Sequence, residues 1–299
     1  MDWVLVAVTG AADVGLREIA TNSVRALGGV PADWSSLSDK GPLQAGALRF
    51  SAASEGLAPL RAALETAGPI DAATLPAARF GKKRLLISDM DSTIIGQECI
   101  DELADAVGLK ARISEITERA MRGELDFEAA LIERVAMLKG LPLEALARTL
   151  EERITLNPGA RTLIATMKAH GAATLLVSGG FTYFTSRVAA LAGFESHQGN
   201  TLLDDGAALT GEVGQPILGR VAKRTALLEA AAALGAGPQD AIALGDGAND
   251  LDMIRAAGLG VAYKAKPVVA AEASGAIRHT DLTAALFFQG YKASEFVPG

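Results

Sequence analysis

The sequence predicts an α/β protein: a Rossmann-like parallel sheet covered by helices on both faces, carrying a helical insert and preceded by a small α+β ferredoxin-like unit. Three observations predict it. Short apolar runs alternate with helically spaced segments from residue 158 onward, as they do in parallel βα architectures. An earlier apolar run, 85–87, is separated from that alternation by about 60 residues of helix-patterned sequence, more than a crossover needs. The first 80 residues read strand, helix, strand, strand, helix, strand, the element order of a ferredoxin-like sandwich.

Composition narrows the function classes. With 299 residues, 49% of them hydrophobic, the chain has material for two packed domains, and disorder is excluded. Thirty-five acidic against 28 basic residues give a net charge of -7, which excludes bulk attraction to nucleic acid; a small anionic substrate would need local cations. The single cysteine, Cys99, has no internal disulfide partner and fits a reducing compartment. No basic segment precedes the short apolar run at 4–8, which is too brief for a signal sequence or a membrane span. A soluble, cytoplasmic protein without a membrane partner is expected.

In the N-terminal segment, 3–9 reads as a strand, Gly10 and the residues after it as a turn, and 14–27 as a helix stopped by Gly28-Gly29. Strands at 31–37 and 45–52 flank the turn-like Ser38-Asp-Lys-Gly-Pro42, and a short helix at 57–66 precedes a weak strand at 70–75. No dense group of reactive side chains occurs here. The segment is expected to serve binding, regulation or assembly, a homodimer included, or simply to stabilise the rest. Pro76-Ala-Ala and the basic Gly81-Lys-Lys-Arg84 mark the boundary, giving domains 1–80 and 81–299.

The run 85–87 reads as a buried strand that ends in two carboxylates one residue apart, Asp89 and Asp91. Carboxylates this close are costly unless a cation or a proton sits between them. A polar turn with Asp91 capping a helix is the plain alternative. Helical spacing follows at 98–107, 111–122, 127–138 and 143–153, broken at Gly108, Gly123 and Gly140-Leu-Pro142. This insert, about 96–156, is placed to cover the strand end as a lid. Next come a helix at 159–170, a strand at 173–177 ending in Ser178-Gly179-Gly180, and a helix opened by Phe181. A hairpin-like stretch at 201–213 leads to a helix at 221–234 and a strand at 240–244 ending in Gly245-Asp246-Gly247-Ala-Asn249-Asp250. One further helix, strand and helix run to residue 288. Ligands of such sheets bind beyond the carboxyl ends of the strands, where three polar turns now converge.

Each turn alone is modest; together they suit phosphoryl transfer. A carboxylate can attack phosphorus and form an acyl-phosphate, and Asp89 is the candidate nucleophile. A second carboxyl must protonate the leaving alkoxide and later deprotonate water, a task within reach of Asp91. Attack of one anion on another needs a cation, and hard oxygen ligands suit magnesium, with Asp246 a ligand and Asp250 a ligand or an orienter of metal-bound water. Ser178 with the glycine amides suits phosphate oxygens. Lys223, near a helix start where the macrodipole does not favour it, is a candidate for neutralising the nucleophile and phosphoryl oxygens. The ordinary alternatives are helix caps for the third turn, a geometric glycine turn for the second, and a solvated lysine.

Asp89-Met-Asp91-Ser-Thr93, Ser178-Gly-Gly180, Lys223 and Gly245-Asp246-Gly-Ala-Asn249-Asp250 resemble, in this order, the motifs of the haloacid dehalogenase superfamily of phosphatases, over about residues 82–290. The resemblance is closest to its phosphoserine-hydrolysing branch. It implies that Asp89 is phosphorylated, that Asp91 is the acid and base, and that Ser178 and Gly179 bind phosphoryl oxygens. It implies that Lys223 holds the aspartyl-phosphate, and that Asp89, Asp246 and the main-chain oxygen of Asp91 hold magnesium. Asn249 would be a further phosphate-side or metal-side contact and Asp250 a support for the metal. The implied substrate is O-phospho-L-serine and the implied reaction the last step of serine biosynthesis, with another small phosphorylated amino acid or alcohol as the alternative. Glu98 and Arg134 resemble the residues that receive the ammonium and the carboxylate, and Met121 and Phe127 those packed beside the substrate. Phe127 and Arg134, seven apart, share a helix face. Apart from the resemblance, Glu98 reads as a helix start, Arg134 as a solvated charge, and Met121 and Phe127 as core. Residues 1–80 are similar to an ACT-type domain in element order alone.

Overall fold

Alternation in the first strand decides how the N-terminal unit packs. In β1 (Asp2–Thr9) every residue from Val4 onward is buried. Leu5 and Ala7 join a core with Leu16, Ala20 and Val24 of α1 (Leu16–Ala26) and with Leu60 and Leu64 of α2 (Ala58–Ala67). Val4, Val6 and Val8 point the other way, into the main core of the molecule. Antiparallel sheets commonly leave one face to water; here β1 is covered on both, while the outer strand, residues 30–38, stays largely exposed. β1 pairs antiparallel with β3 (Gln44–Ser51) and β4 (Ile70–Pro76), and β2 (Val30–Ser38) adds to the outer edge of β3. The order strand, helix, strand, strand, helix, strand is that of a ferredoxin-like unit. The computed structural model describes residues 1–12, 14–53, 58–105, 108–122 and 124–299.

After this unit come β5 (Leu85–Ser88), four cap helices α3 (Cys99–Asp105), α4 (Lys110–Met121), α5 (Phe127–Ala136) and α6 (Glu144–Arg153), then α7 (Ala160–Ala169) and β6 (Ala173–Phe181). They are followed by α8 (Thr182–Ala192), β7 (Ser196–Asn200), the hairpin β8 (Leu202–Asp204) and β9 (Leu209–Val213), and α9 (Arg220–Ala233). The chain ends through β10 (Ala241–Gly245), α10 (Leu251–Ala256), β11 (Leu259–Tyr263), α11 (Pro267–Glu272), β12 (Gly275–Ile277) and α12 (Ala284–Phe287). Among the described residues no helix is long and apolar enough to cross a membrane.

One ten-stranded sheet runs through both parts, in the order β2-β3-β1-β4-β12-β11-β10-β5-β6-β7. The six strands from β12 to β7 are parallel; β4 joins them antiparallel, with Gly275 opposite Ala73 and Ala276 opposite Ala72. Asp71 secures this junction. Its buried carboxylate accepts from the amides of Arg278 (2.7 Å), His279 (3.1 Å) and Thr280 (2.8 Å) and from the Thr280 hydroxyl (2.6 Å). β5, entirely buried, lies between β10 and β6, so its carboxyl end is flanked by theirs.

Several elements differ from the sequence expectation. β6 continues through Ser178-Gly179-Gly180 to Phe181, with its pairing to β7 irregular between Val177 and Phe181. β7 and β12 were not expected: Ser-His-Gln-Gly-Asn has no apolar alternation, because an edge strand buries little, and Gly-Ala-Ile is too short to register. The cap is fastened at two places. Ile95 bridges Leu156 at its base, and the β8–β9 hairpin supports the α5–α6 connection through Leu209 N to Leu141 O (2.9 Å), Gly140 N to Leu209 O (2.8 Å) and Leu143 N to Ala207 O (3.0 Å).

Candidate active site

Asp89 stands one residue past β5, its amide still donating to Leu244 O of β10 at 3.0 Å. Its Oδ1 accepts from the Met90 amide (2.8 Å) and lies 2.8 Å from Lys223 Nζ, which leaves Oδ2 without a donor among the described residues. Burial raises the Asp89 carboxyl well above the usual carboxylate range, the Asp250 charge adds to this, and Lys223 opposes both. The loop then turns through Ser92 at φ 53°, a left-handed conformation rare for a side-chain-bearing residue. That turn brings Asp91 back over the strand end. Asp91 Oδ1 accepts from the Cys99 amide at the start of α3 (2.9 Å) and Oδ2 from the Ser178 hydroxyl (3.2 Å). Burial raises this carboxyl too, against the lowering effect of those donors.

The second strand end approaches so closely that only glycines fit. A Cβ on Gly180 would lie 2.8 Å from Asp91 Oδ2, and one on Gly179 would lie 2.7 Å from the Phe127 ring. The Gly180 amide donates to Ser178 Oγ at 2.8 Å, and Gly179 O accepts from Asn200 Nδ2 at 2.8 Å. Asn200 also accepts from the Leu218 amide at 2.7 Å, tying this loop to the segment that enters α9.

Lys223 occupies the first turn of α9 and is buried among anions. Burial alone would lower its pKa, but Asp250 Oδ1 at 2.7 Å and Asp89 Oδ1 at 2.8 Å outweigh it and hold the ammonium firmly charged. Asp250, fully buried, accepts also from the amides of Asp246 (3.1 Å) and Gly247 (3.0 Å). Burial and the neighbouring Asp250 charge push Asp246 up to about 7, against the pull of Lys223. One oxygen from each of Asp89, Asp246 and Asp250 lies within 4.8 Å of the others. Three buried carboxylates facing one ammonium leave an excess of negative charge made of hard oxygens, a donor set that fits a divalent cation.

The cap completes a cavity of about 330 Å³ over these strand ends. From the core it is lined by Asp89, Asp91, Ser178, Gly179 and Asn249; from the cap by Glu98, Phe127 and Arg134. Glu98 Oε1 accepts from Ser92 Oγ, and burial beside Asp91 raises its carboxyl well above the usual range. Asp126 caps α5 by accepting from the Ala129 amide at 2.8 Å, which sets the helix carrying Phe127 and Arg134. Both residues face the cavity, as their spacing predicts. Arg134 is 5% exposed, yet among the described residues no carboxylate lies within 4.0 Å of its guanidinium. Met121 ends α4, and its side chain lies outside the described residues.

Of the residues singled out from sequence, Asp89, Asp91, Glu98, Phe127, Arg134, Ser178, Gly179 and Asn249 line one cavity. Lys223, Asp246 and Asp250 stand behind Asp89. Sequence reasoning missed three residues here. Thr117 lines the cavity and carries Arg134, but a threonine inside a helix pattern has no distinguishing signal. Asn200 was hidden by the unrecognised β7. Arg220 lines the cavity while paired to Asp252 at 2.7 Å; its position three residues before Lys223, on the same helix, was a usable signal.

A parallel α/β sheet whose central strand ends in a buried and a half-buried aspartate, backed by a buried lysine and roofed by a helical cap, defines an aspartate-based hydrolase handling phosphoryl groups. The haloacid dehalogenase-like hydrolase profile matches residues 86–255, and the chain belongs to that family. A phosphoserine phosphatase of Albidiferax ferrireducens is 49% identical over 199 residues, covering 65% of this chain and 84% of that protein. A crystal structure of a haloacid dehalogenase family hydrolase from Salmonella enterica serovar Typhi superposes with a TM-score of 0.83 at 30% identity, over 96% of this chain and 98% of that one. A phospho-aspartyl intermediate analogue of a phosphoserine phosphatase superposes with a TM-score of 0.66 at 37% identity, over 69% of this chain and 99% of the other.

Proposed function

We propose that the protein hydrolyses O-phospho-L-serine to L-serine and phosphate through an aspartyl-phosphate on Asp89, with magnesium as its divalent cation. The observation that carries the substrate is Arg134: a buried guanidinium without a carboxylate partner among the described residues, on the wall of a cavity whose floor is Asp89 and Asp91. A buried, unpaired charge is costly, and a ligand carboxylate removes that cost. Glu98 on the same wall suits the ammonium, and the similarity to phosphoserine phosphatases supports the assignment.

Asp89 Oδ2 attacks phosphorus while the bond to the serine oxygen breaks, and Asp91 delivers its proton to that oxygen. The raised carboxyl of Asp91 suits it to hold a proton until then. L-Serine leaves, Asp91 takes a proton from water, and the water oxygen displaces Asp89 from phosphorus to release phosphate. Lys223 stays protonated and holds Asp89 Oδ1, fixing which oxygen attacks. Ser178 and the amides of its loop receive the phosphoryl oxygens, with Asn249 beside them. Magnesium, held by Asp89, Asp246 and the main-chain oxygen of Asp91 with Asp250 beside them, would neutralise the charge between phosphate and nucleophile.

Phosphate release from a panel of phosphorylated metabolites, with magnesium or chelator, tests the reading for wild type and Asp89→Asn. Phosphoserine is expected to lead, chelator to stop turnover, and Asp89→Asn to abolish it. A better substrate refutes the specificity, and turnover by Asp89→Asn refutes the covalent route. Residues 1–80 we read as an ACT-like regulatory or assembly unit; titration of the full chain with amino acids that finds no site beyond the catalytic one refutes an effector role.

A further inference from the structure

Arg134 is held in place by the cap itself. Its Nε donates to Ala130 O one turn back at 3.1 Å, and Nη1 donates to Thr117 Oγ1 on α4 at 2.8 Å. A guanidinium has five N–H donors, so most remain for a ligand, enough for a bidentate carboxylate. Thr117, 4% exposed, stands in turn 3.0 Å from Asp101 Oδ1 on α3 and 3.0 Å from Ile113 O. Since its oxygen accepts from Arg134, its single proton points away, toward Asp101 or Ile113. Ser114 Oγ donates to the other Asp101 oxygen at 2.7 Å, fixing that carboxylate. One buried hydroxyl thus couples α3, which begins directly after Glu98, to α5, which carries Arg134.

We infer that Thr117, oriented by Asp101, is a positioning residue for specificity: it sets where the Arg134 fork stands relative to Glu98, and so favours phosphate esters bearing a carboxylate beside the ammonium. The inference rests on the assignment of Arg134 to the substrate carboxylate. Without the hydroxyl, Arg134 keeps its charge but loses its lateral anchor, and the misplaced fork binds the carboxylate poorly. Ligands without a carboxylate do not sense the difference.

The test compares kcat/KM for phosphoserine with that for phosphoethanolamine, which keeps the phosphate and ammonium but lacks the carboxylate. It uses the full-length wild type, Thr117→Val, Thr117→Ser, Asp101→Asn and Arg134→Ala. Thr117→Val is expected to reduce the preference for phosphoserine about tenfold, mostly through KM, about the effect of one hydrogen bond to a charged group. Thr117→Ser, which keeps the hydroxyl, restores the preference, and Asp101→Asn shifts it in the direction of Thr117→Val. Equal losses on both substrates, or an unchanged ratio in Thr117→Val, overturn the positioning role. Arg134→Ala separates the two failures. If it collapses the preference while Thr117→Val does not, only this inference falls; if it leaves the preference intact, the carboxylate assignment falls and takes the inference with it.

Discussion

Replacing Lys223 by methionine keeps most of the side-chain volume and removes one charge from the most heavily charged buried part of the site. Lys223 makes two ion pairs, 2.8 Å to Asp89 and 2.7 Å to Asp250, and all three residues are buried. Removing one partner of a buried pair costs about 3–5 kcal/mol, because the charge left behind has no compensation. The carboxylates can relieve that cost only by taking up protons. Asp89 is already raised by burial and by Asp250, with Lys223 as the opposing influence; without Lys223 it rises further, toward the protonated form. A protonated Asp89 is no nucleophile. A cost of about 3–5 kcal/mol borne by the anionic form, at about 1.4 kcal/mol per factor of ten, lowers the reactive fraction at least a hundredfold and moves the acid limb of the rate profile upward. The rate of Lys223→Met at neutral pH is therefore expected to fall at least a hundredfold and to recover in part on the alkaline side. The sign for stability follows from the same protons. A carboxyl raised in the fold stabilises it only while protonated, so the variant is most destabilised at high pH and approaches wild type as pH falls. Steady-state phosphate release across pH, with denaturant unfolding of the metal-free protein at matched pH, measures both. An acid limb that does not move, or a neutral rate within tenfold of wild type, refutes the reasoning.

Asp246, pushed up to about 7 by burial and Asp250, must lose a proton to bind a cation, so magnesium affinity should rise with pH up to about 7 with proton release. Calorimetry in buffers of different ionisation enthalpy measures that release, and affinity independent of pH across this range rejects it. In the metal-free protein the same raised group makes stability fall as pH climbs from its unfolded value of 3.8 toward 7, so the gain in Tm from metal should be larger above neutrality than below. Gly179→Ala places a methyl 2.7 Å from the Phe127 ring, an overpacking of about 1–3 kcal/mol between cap and core. It should raise KM about tenfold and be partly rescued by Phe127→Ala, whereas no rescue places the effect elsewhere. Asp71→Ala orphans three backbone amides and a hydroxyl and should cost about 3 kcal/mol by denaturant unfolding, with faster hydrogen exchange at 278–280; a loss below about 0.5 kcal/mol contradicts the role of this junction.

What the sequence by itself determined is whatever depends on near neighbours. The apolar run 85–87 and its sudden end in Asp89-Met90-Asp91, the glycines at the carboxyl ends of β6 and β10, and the period of the cap helices are local patterns that carry their own structure. Their convergence was legible because parallel strands with helical crossovers all present their carboxyl ends on one edge. The spacing of Phe127 and Arg134 likewise determines a shared helix face, whatever that face meets. Tertiary structure decided the rest. That the first 80 residues share a sheet with the rest depends on Ala72 and Ala73 meeting Gly275 and Ala276, short apolar segments with no local signal. Lys223 is a surface residue by every local criterion; it is buried because Asp89 and Asp250, far away in the chain, offset the loss of water. Arg134 reads as a solvated charge until the cap buries it and Thr117, itself in contact with Asp101, accepts from its guanidinium. Spacing along the chain records which side chains share a face, but desolvation and long-range pairing set their charge, their orientation and the ligand they await, and both arise only when the chain has folded.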